Sequence, residues 1–212
     1  MRNLDRIYLA ATGDLIRSKT ASQEQMETLQ STTKKINRLH KPIVAFSLQS
    51  GDEIQGLLSL DSKPISVLMD FCGAIFPLTI RWGIGIGFIS TPILSTTAEM
   101  RGTAFEFSRK ALNNIKKKRY RFSLNSGGDN EQLINLIFRL VSGYLGRWNN
   151  KTYRRYKLYT RYETIYKVAE IEDVSIEAIN KYIIRQGIRE IMESLRFVDK
   201  FLEEYQPCRV DK

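Results

Sequence analysis

The stretch Pro42-Ile-Val-Ala-Phe-Ser-Leu-Gln-Ser-Gly-Asp-Glu-Ile-Gln-Gly-Leu-Leu-Ser59 predicts a β-hairpin. Its two apolar runs, residues 42–48 and 54–59, have the length and composition of buried strands. Between them, residues 49–52 carry the glycine and aspartate that favour a tight turn. Because two strands joined so closely pair antiparallel, the rest of a sheet can be assembled around them.

Strands and helices alternate on both sides of this hairpin. Residues 6–12 have the pattern of a buried strand that ends at Gly13 and Asp14, and a helical period with Ser22 as its N-cap covers residues 22–39. The further elements expected are helices at 65–76 and 104–117, a strand at 78–89 and an edge strand at 120–124. The order β-α-β-β-α-β predicts an α+β fold, a ferredoxin-like or palm-type sheet with helices on one face.

The glycine- and serine-containing residues 123–129 form the only obvious linker, and everything after them has a helical pattern. We therefore expect an α/β domain over residues 1–124 and an all-α domain over residues 125–212.

Acidic residues stand at two of the predicted strand ends. Asp14 ends the first strand, and Asp52 lies in the hairpin turn. If these ends meet at one edge of the sheet, the two carboxylates could hold a hard cation such as Mg²⁺ or Mn²⁺ together with phosphate oxygens. Gly13 and Gly51 precede them and would let the backbone approach a bound phosphate. Gly-Asp is also a common turn dipeptide, so a purely structural role stays open.

The charge of the chain is concentrated in one segment. The net charge is +10, and residues 110–161 carry thirteen lysines and arginines against Asp129 and Glu131. Tyrosines and a tryptophan are interleaved with these cations. Such a segment favours a polyphosphate partner such as DNA, because every neutralised phosphate releases counterions. A solvated surface that only keeps the protein soluble is the alternative.

Scarce residue types exclude several chemistries. Cys72 and Cys208 are the only cysteines, too few for a disulfide framework or a thiolate zinc site. His40 is the only histidine, which excludes Ser-His and Cys-His nucleophile pairs as well as multi-histidine metal sites. The first residues carry charges where a signal peptide needs an apolar stretch, and no run approaches the roughly 18 apolar residues of a membrane span. We expect a cytoplasmic protein without a membrane segment.

Four blocks of the sequence resemble those of the SatD family, in similar order and spacing over about the first 120 residues. They are Gly13-Asp-Leu-Ile-Arg-Ser-Lys19, Gly51-Asp-Glu-Ile-Gln-Gly-Leu-Leu58, Arg81-Trp-Gly-Ile-Gly-Ile-Gly-Phe-Ile-Ser-Thr91 and Gly102-Thr-Ala-Phe-Glu-Phe-Ser-Arg-Lys-Ala-Leu112. The resemblance implies this architecture and a following helix-turn-helix. Arg17 stands where the family usually has glycine, and Ile54 where it usually has phenylalanine. Arg17 and Lys19 join Gly13 and Gly51 as candidate phosphate ligands.

The same blocks are more distantly similar to the palm-type core of class III nucleotidyl cyclases. This similarity implies that Asp14 and Asp52 are metal ligands, and that they are the catalytic residues if the protein is an enzyme. The cyclases carry an asparagine and, four residues later, an arginine on the next helix, where this chain has Glu106 and Lys110. A carboxylate cannot donate to phosphate oxygens. The comparison therefore favours binding of a metal-nucleotide over its cyclisation.

Residues 168–183 have the pattern of a helix-turn-helix. Ala169 is the small residue where two helices cross, Asp173 and Val174 form the turn, and Ser175 caps the second helix. This helix would place Asn180, Lys181 and Arg185 against DNA, with Arg154 and Arg155 as further candidate contacts.

Neighbouring acidic residues oppose DNA, and a helical hairpin used for dimer packing is the alternative. The final helix, at residues 186–205, has an apolar stripe that serves either the core or a dimer seam.

Three functions follow from these patterns. We expect a DNA-binding regulator, acting as a homodimer, whose palm-like domain binds a metal-nucleotide or phosphate. The rival is a metal-dependent nucleotidyltransferase, cyclase-like enzyme or phosphohydrolase that uses its helical domain for dimerisation. A structural adaptor that uses neither site is the third.

Overall fold

The computed structural model describes residues 6–16, 22–49 and 51–205. In this part of the chain the sheet-forming half contains three helices. Its elements are β1 (Ile7–Leu15), α1 (Gln23–His40), β2 (Val44–Leu48), β3 (Glu53–Leu58), α2 (Pro64–Ala74), β4 (Ile80–Phe88), α3 (Thr103–Ile115) and β5 (Phe122–Asn125). The helices that follow are α4 (Glu131–Leu145), α5 (Asn150–Tyr162), α6 (Ile165–Glu172), α7 (Ile176–Gln186) and α8 (Ile188–Glu203). The predicted order of elements is confirmed.

The five strands form one sheet in the order β2-β3-β1-β4-β5. The central strand β1 is antiparallel to both neighbours, and β5 is a parallel edge strand. The predicted end of β1 at Gly13 and Asp14 is wrong, because β1 pairs with β4 as far as Leu15. Asp14 therefore sits inside a strand, between Glu53 of β3 and Arg81 of β4.

Helices cover both faces of the sheet. Alternate residues of β4, such as Trp82 and Ile84, point into the main core with α1 and α2. The glycines between them lie beneath α3, and a Cβ at Gly83 would come within 2.1 Å of the Ser108 carbonyl oxygen. The expectation of helices on one face is therefore wrong. Because β4 and β5 are parallel, their connection must cross over the sheet, and α3 makes this crossing on the opposite face.

Both edges of the sheet are covered by an asparagine side chain. Asn37 of α1 accepts from the Phe46 N–H and donates to the Phe46 carbonyl oxygen, both at 2.8 Å. Asn135 of α4 does the same for Leu124, at 2.9 and 2.8 Å. Each amide satisfies backbone groups that an edge strand would otherwise expose.

The helical half packs onto the sheet-forming half through a shared core that includes α2, β5 and α8. Asp199 of α8 accepts from the backbone N–H groups of Ile65 and Ser66 at 2.8 and 3.2 Å, and from the Ser66 hydroxyl at 2.7 Å. It thereby caps α2, whose own N-cap residue, Lys63, makes no side-chain cap. Burial raises the pKa of Asp199 above its ordinary 3.8.

The apolar stripe of α8 lies in this core rather than in a dimer seam. Its members are buried within the single chain: Ile188, Ile191, Met192, Leu195, Val198 and Leu202. The sequence allowed either a core role or a dimer seam for this stripe, and the structure shows the core role.

Candidate functional site

The structure brings Asp14 and the hairpin turn to the same end of the sheet. Asp14 lies opposite Glu53, and Asp52 precedes Glu53 in the turn. Two residues before Asp14, the Thr12 hydroxyl contacts the Ser108 hydroxyl of α3 at 2.8 Å, which places this side of β1 beneath α3. Asp14 and the hairpin turn therefore lie at the same end of the sheet, with Glu53 rather than Asp52 as the cross-strand neighbour of Asp14.

Both oxygens of Asp14 already face cations. The Nε of Arg81 donates to Oδ2 at 2.8 Å, and Nζ of Lys116 lies 4.0 Å from Oδ1. Within the described residues, no group of three or more histidine, cysteine, aspartate or glutamate side chains is placed to hold a metal ion. A divalent cation at Asp14 would have to displace Arg81, Lys116 or both, so this carboxylate fits a metal poorly in the conformation seen.

Of the two candidate phosphate-binding glycines, one is buried in the sheet and the other is exposed in the hairpin turn. Gly13 is buried inside β1, where a Cβ would come within 2.5 Å of the Trp82 ring, so this glycine has a packing role. Gly51 is exposed in the hairpin turn with φ of +67°, a backbone conformation that favours glycine. Arg17 and Lys19 lie outside the described residues.

A basic cleft that the sequence did not single out lies beside Asp14. It has a volume of about 850 Å³ and is open to solvent. Its basic lining consists of Arg81, Lys116, Lys117, Lys118, Arg119 and Arg121, and its remaining lining of Ile16, Gln25, Pro77, Leu78, Thr79 and Gly146. None of these lining residues is acidic. We call this feature the basic cleft.

The local structure explains how these cations converge. Helix α3 ends at Ile115, and the run Lys116–Arg119 follows directly, where cations complement the negative end of the helix dipole. Arg121 donates to the Ile80 carbonyl oxygen at 3.4 Å, and Arg81 donates to that of Lys116. Lys117, Lys118 and Arg119 are exposed and form no ion pair within the described residues. The only sequence signal was the local density of basic residues.

Helices α6 and α7 are joined by a tight turn with the predicted chemistry. Asp173 ends α6 in the left-handed conformation, with φ of 52°. Ser175 caps α7, and its hydroxyl accepts from the Ala178 N–H at 3.2 Å. Ile179 and Ile183 are fully buried, so the opposite face of α7 points to solvent. Asn180, Lys181 and Arg185 lie exposed on that outer side.

Arg154 and Arg155 do not form the DNA-contacting pair that the sequence suggested. Arg155 has a side chain only 5% exposed, 3.2 Å from Oε2 of Glu172, and its guanidinium lies over the Tyr182 ring at 4.3 Å. Arg154 is 64% exposed and lies 2.7 Å from the other oxygen of Glu172. As a DNA contact Arg155 is wrong, because its charge is buried and used inside the helical half. Arg154 keeps access to solvent.

The C-terminal end of α7 lies close to the segment that leads into the basic cleft. The Trp148 indole N–H donates to the Gln186 carbonyl oxygen at 3.0 Å. A Cβ at Gly187 would come within 2.4 Å of the Tyr144 ring, whose face is covered by Arg147 at 5.0 Å. Since Gly146 lines the cleft, residues 144–148 join the C-terminal end of α7 to the margin of the cleft.

The described helices include none that is both long enough and apolar enough to cross a membrane.

The architecture is that of a mixed α+β protein, a five-stranded sheet continued by a layer of helices. The chain belongs to the SatD family, whose family model matches residues 8–194. The resemblance of the four sequence blocks is thereby confirmed. A comparison with curated proteins found no match.

Two solved structures of a bacterial light-regulated adenylyl cyclase show a distant likeness to part of this chain. The first is 10% identical, with a TM-score of 0.40, and the similarity covers 56% of this chain and 74% of that one. The second is 11% identical, with a TM-score of 0.36, and the similarity covers 56% of this chain and 42% of that one. Similarity at this level supports no conclusion about this chain.

Proposed function

We propose that this protein is a DNA-binding regulator in which α6 and α7 form a helix-turn-helix and α7 is the recognition helix. One observation carries the proposal: the outer side of a capped, firmly anchored helix presents Asn180, Lys181 and Arg185 to solvent. An asparagine can pair with adenine, and a lysine or arginine can contact guanine or phosphate in the major groove. The left-handed turn at Asp173 fixes the angle at which α7 leaves α6.

The acidic residues around the turn oppose DNA less than their number suggests. Glu172 is neutralised by Arg154 and Arg155, and both oxygens of Glu170 lie 2.9 Å from Nζ of Lys167. Among the described acidic residues of the turn region, these pairs leave Asp173 and Glu177 without an ion pair, while Glu170 is exposed but paired. The cations of α7 therefore meet less repulsion along the approach to a phosphate backbone.

The sheet-forming half would supply the ligand-dependent part of the regulator. A metal-nucleotide held through Mg²⁺ or Mn²⁺ at Asp14 and Asp52 remains a proposal, and it requires Arg81 to release Asp14. A homodimer likewise remains a proposal. The rival, a metal-dependent enzyme, would turn over nucleoside triphosphates in the presence of Mg²⁺ or Mn²⁺ and would lose this turnover on Asp14→Asn.

Fluorescence anisotropy with a labelled random-sequence DNA duplex tests the proposed function. The double variant Lys181→Ala/Arg185→Ala should bind roughly tenfold more weakly and reduce the slope of log affinity against log salt by about 2. The matched control Lys34→Ala/Arg38→Ala removes two exposed charges from α1 and should bind like the parent chain. An equal loss of DNA affinity in both double variants would show that only the net charge matters, and it would rule out α7 as the recognition helix.

A further inference from the structure

We propose that the basic cleft is a binding site for a nucleotide carrying two or more phosphates, held by the protein's own cations. This proposal specifies the ligand of the sheet-forming half, and it rests on the proposed function only for the idea that this half binds a ligand. Asp14 and Asp52, the proposed metal ligands, are not among the described residues that line the cleft, although Asp14 contacts Arg81 and Lys116 at its edge.

The cationic wall of the cleft sets the charge of its occupant. Six lysines and arginines converge there, and the only carboxylate that contacts any of them within the described residues is Asp14, which faces Arg81 and Lys116. In the part of the chain that the structure describes, no carboxylate therefore pairs with the exposed groups of Lys117, Lys118 and Arg119. One monovalent anion cannot balance this wall, whereas a chain of phosphates can bridge several cations at once.

The remaining wall indicates a nucleotide rather than a bare polyphosphate. Ile16, Pro77 and Leu78 supply an apolar surface, and Gln25 and Thr79 supply hydrogen-bonding groups beside it. A volume of about 850 Å³ lies within the range of small-molecule sites, roughly 300–1,000 Å³. A cationic wall beside an apolar wall suits a ligand that combines a phosphate chain with a flat nucleobase.

The positions of Arg81 and Arg121 support a built site. Each guanidinium is oriented by a backbone carbonyl oxygen, Arg81 by that of Lys116 and Arg121 by that of Ile80. Arg81 is further held by Asp14. Cations oriented in advance lose less conformational freedom on binding a phosphate than lysines in free solution do.

Isothermal titration calorimetry with ATP, in EDTA and without DNA, tests this inference. We expect ATP to bind, adenosine not to bind measurably, and tripolyphosphate to bind at least about fivefold more weakly than ATP because it lacks the head group. The variant Lys117→Ala/Arg119→Ala should weaken ATP binding by roughly tenfold or more, whereas Lys34→Ala/Arg38→Ala should leave it unchanged. Both lysine–arginine pairs are exposed, so neither variant endangers folding.

Three results would overturn the inference. They are an unchanged ATP affinity in the cleft variant, an equal loss in the control variant, or tripolyphosphate binding as tightly as ATP. Because these titrations contain no DNA, a failure here leaves the recognition role of α7 untouched. Conversely, if the α7 variants disproved the role of α7 in DNA binding, the results of the ATP titrations would still stand.

Discussion

The guanidinium of Arg81 donates from Nε to Oδ2 of Asp14 at 2.8 Å, across the pair of neighbouring strands β1 and β4. This contact uses the carboxylate on which the metal hypothesis depends. It also orients a cation at the margin of the basic cleft. The same pair therefore opposes a metal ion at Asp14 and holds the Arg81 side chain in place beside the cleft.

Removing Arg81 should expose Asp14 to metal ions. In the variant Arg81→Gln, we expect the affinity for Mn²⁺ to rise about tenfold, because a divalent cation no longer competes with a bound guanidinium. Electron paramagnetic resonance of free Mn²⁺ during titration measures this affinity. Lys110→Gln, which removes an exposed charge from α3, is the matched control. Equal Mn²⁺ affinities in the parent chain and Arg81→Gln would show that the ion pair does not govern this carboxylate.

The two arginines that share Glu172 should differ greatly in their contribution to stability. Arg155→Ala removes a buried guanidinium that packs over the Tyr182 ring, and it leaves the nearly buried Glu172 with only the exposed Arg154. It should lower the free energy of unfolding by about 3 kcal/mol. Arg154→Ala removes a solvent-exposed partner of the same carboxylate and should cost at most about 1 kcal/mol. Urea denaturation followed by circular dichroism compares them. Similar losses would contradict the burial that the structure assigns to Arg155.

Asp199 should couple stability to pH in the acid range. Its pKa is raised in the folded chain by burial, so the folded state holds its proton more tightly than the unfolded state does. Its contribution to stability is therefore fully present below pH 3.8 and is lost as the pH rises through the raised value. Asp199→Asn should remove this contribution to the pH dependence of the free energy of unfolding. The parent chain should therefore lose stability relative to the variant as the pH rises from 3.8 through the raised pKa. Denaturant titrations at several pH values check this, and parallel curves would contradict it.

Removing the Asp199 carboxyl should weaken the contact between α8 and α2 and so destabilise the protein. Asp199→Ala leaves the first N–H groups of α2 without their cap and should lower the free energy of unfolding by about 1–3 kcal/mol. Asp129→Ala, an exposed carboxylate ahead of α4, serves as the control in the same denaturation assay. Equal stability of the two variants would show that the contact between α8 and α2 is dispensable.

The turn between α6 and α7 should respond to backbone conformation rather than to side-chain contacts. Because Asp173 has φ of 52°, Asp173→Gly should be more stable than Asp173→Ala by about 1 kcal/mol, both variants lacking the charge. Thermal unfolding followed by circular dichroism compares the pair. A more stable alanine variant would mean that the turn adopts another conformation in solution.

The sequence predicted the elements well because each carries a local signal. The apolar runs flanking the hairpin, the serine caps at Ser22 and Ser175 and the turn at Asp173 depend on residues close together along the chain. The side of the sheet on which α3 packs has no such signal. The glycines of β4 indicate a close neighbour without showing whether it lies above or below the strand.

The basic cleft and the burial of Arg155 were missed for a related reason. The cleft combines residues from the end of β1, the start of β4, the segment after α3 and the end of α4, which meet only in three dimensions. Arg154 and Arg155 are adjacent and chemically identical, yet helical geometry turns one outward and the other towards Glu172. Only the packing of α5 against α6 and α7 decides which one remains available.

The amides of Asn37 and Asn135 have a consequence for how copies of this protein can meet. Each already satisfies backbone groups at a rim of the sheet, next to Phe46 and Leu124. An incoming strand would have to break both hydrogen bonds of one of these amides before it could pair with Phe46 or with Leu124. Pairing of β2 or β5 with a strand of another molecule is thereby disfavoured at these two positions.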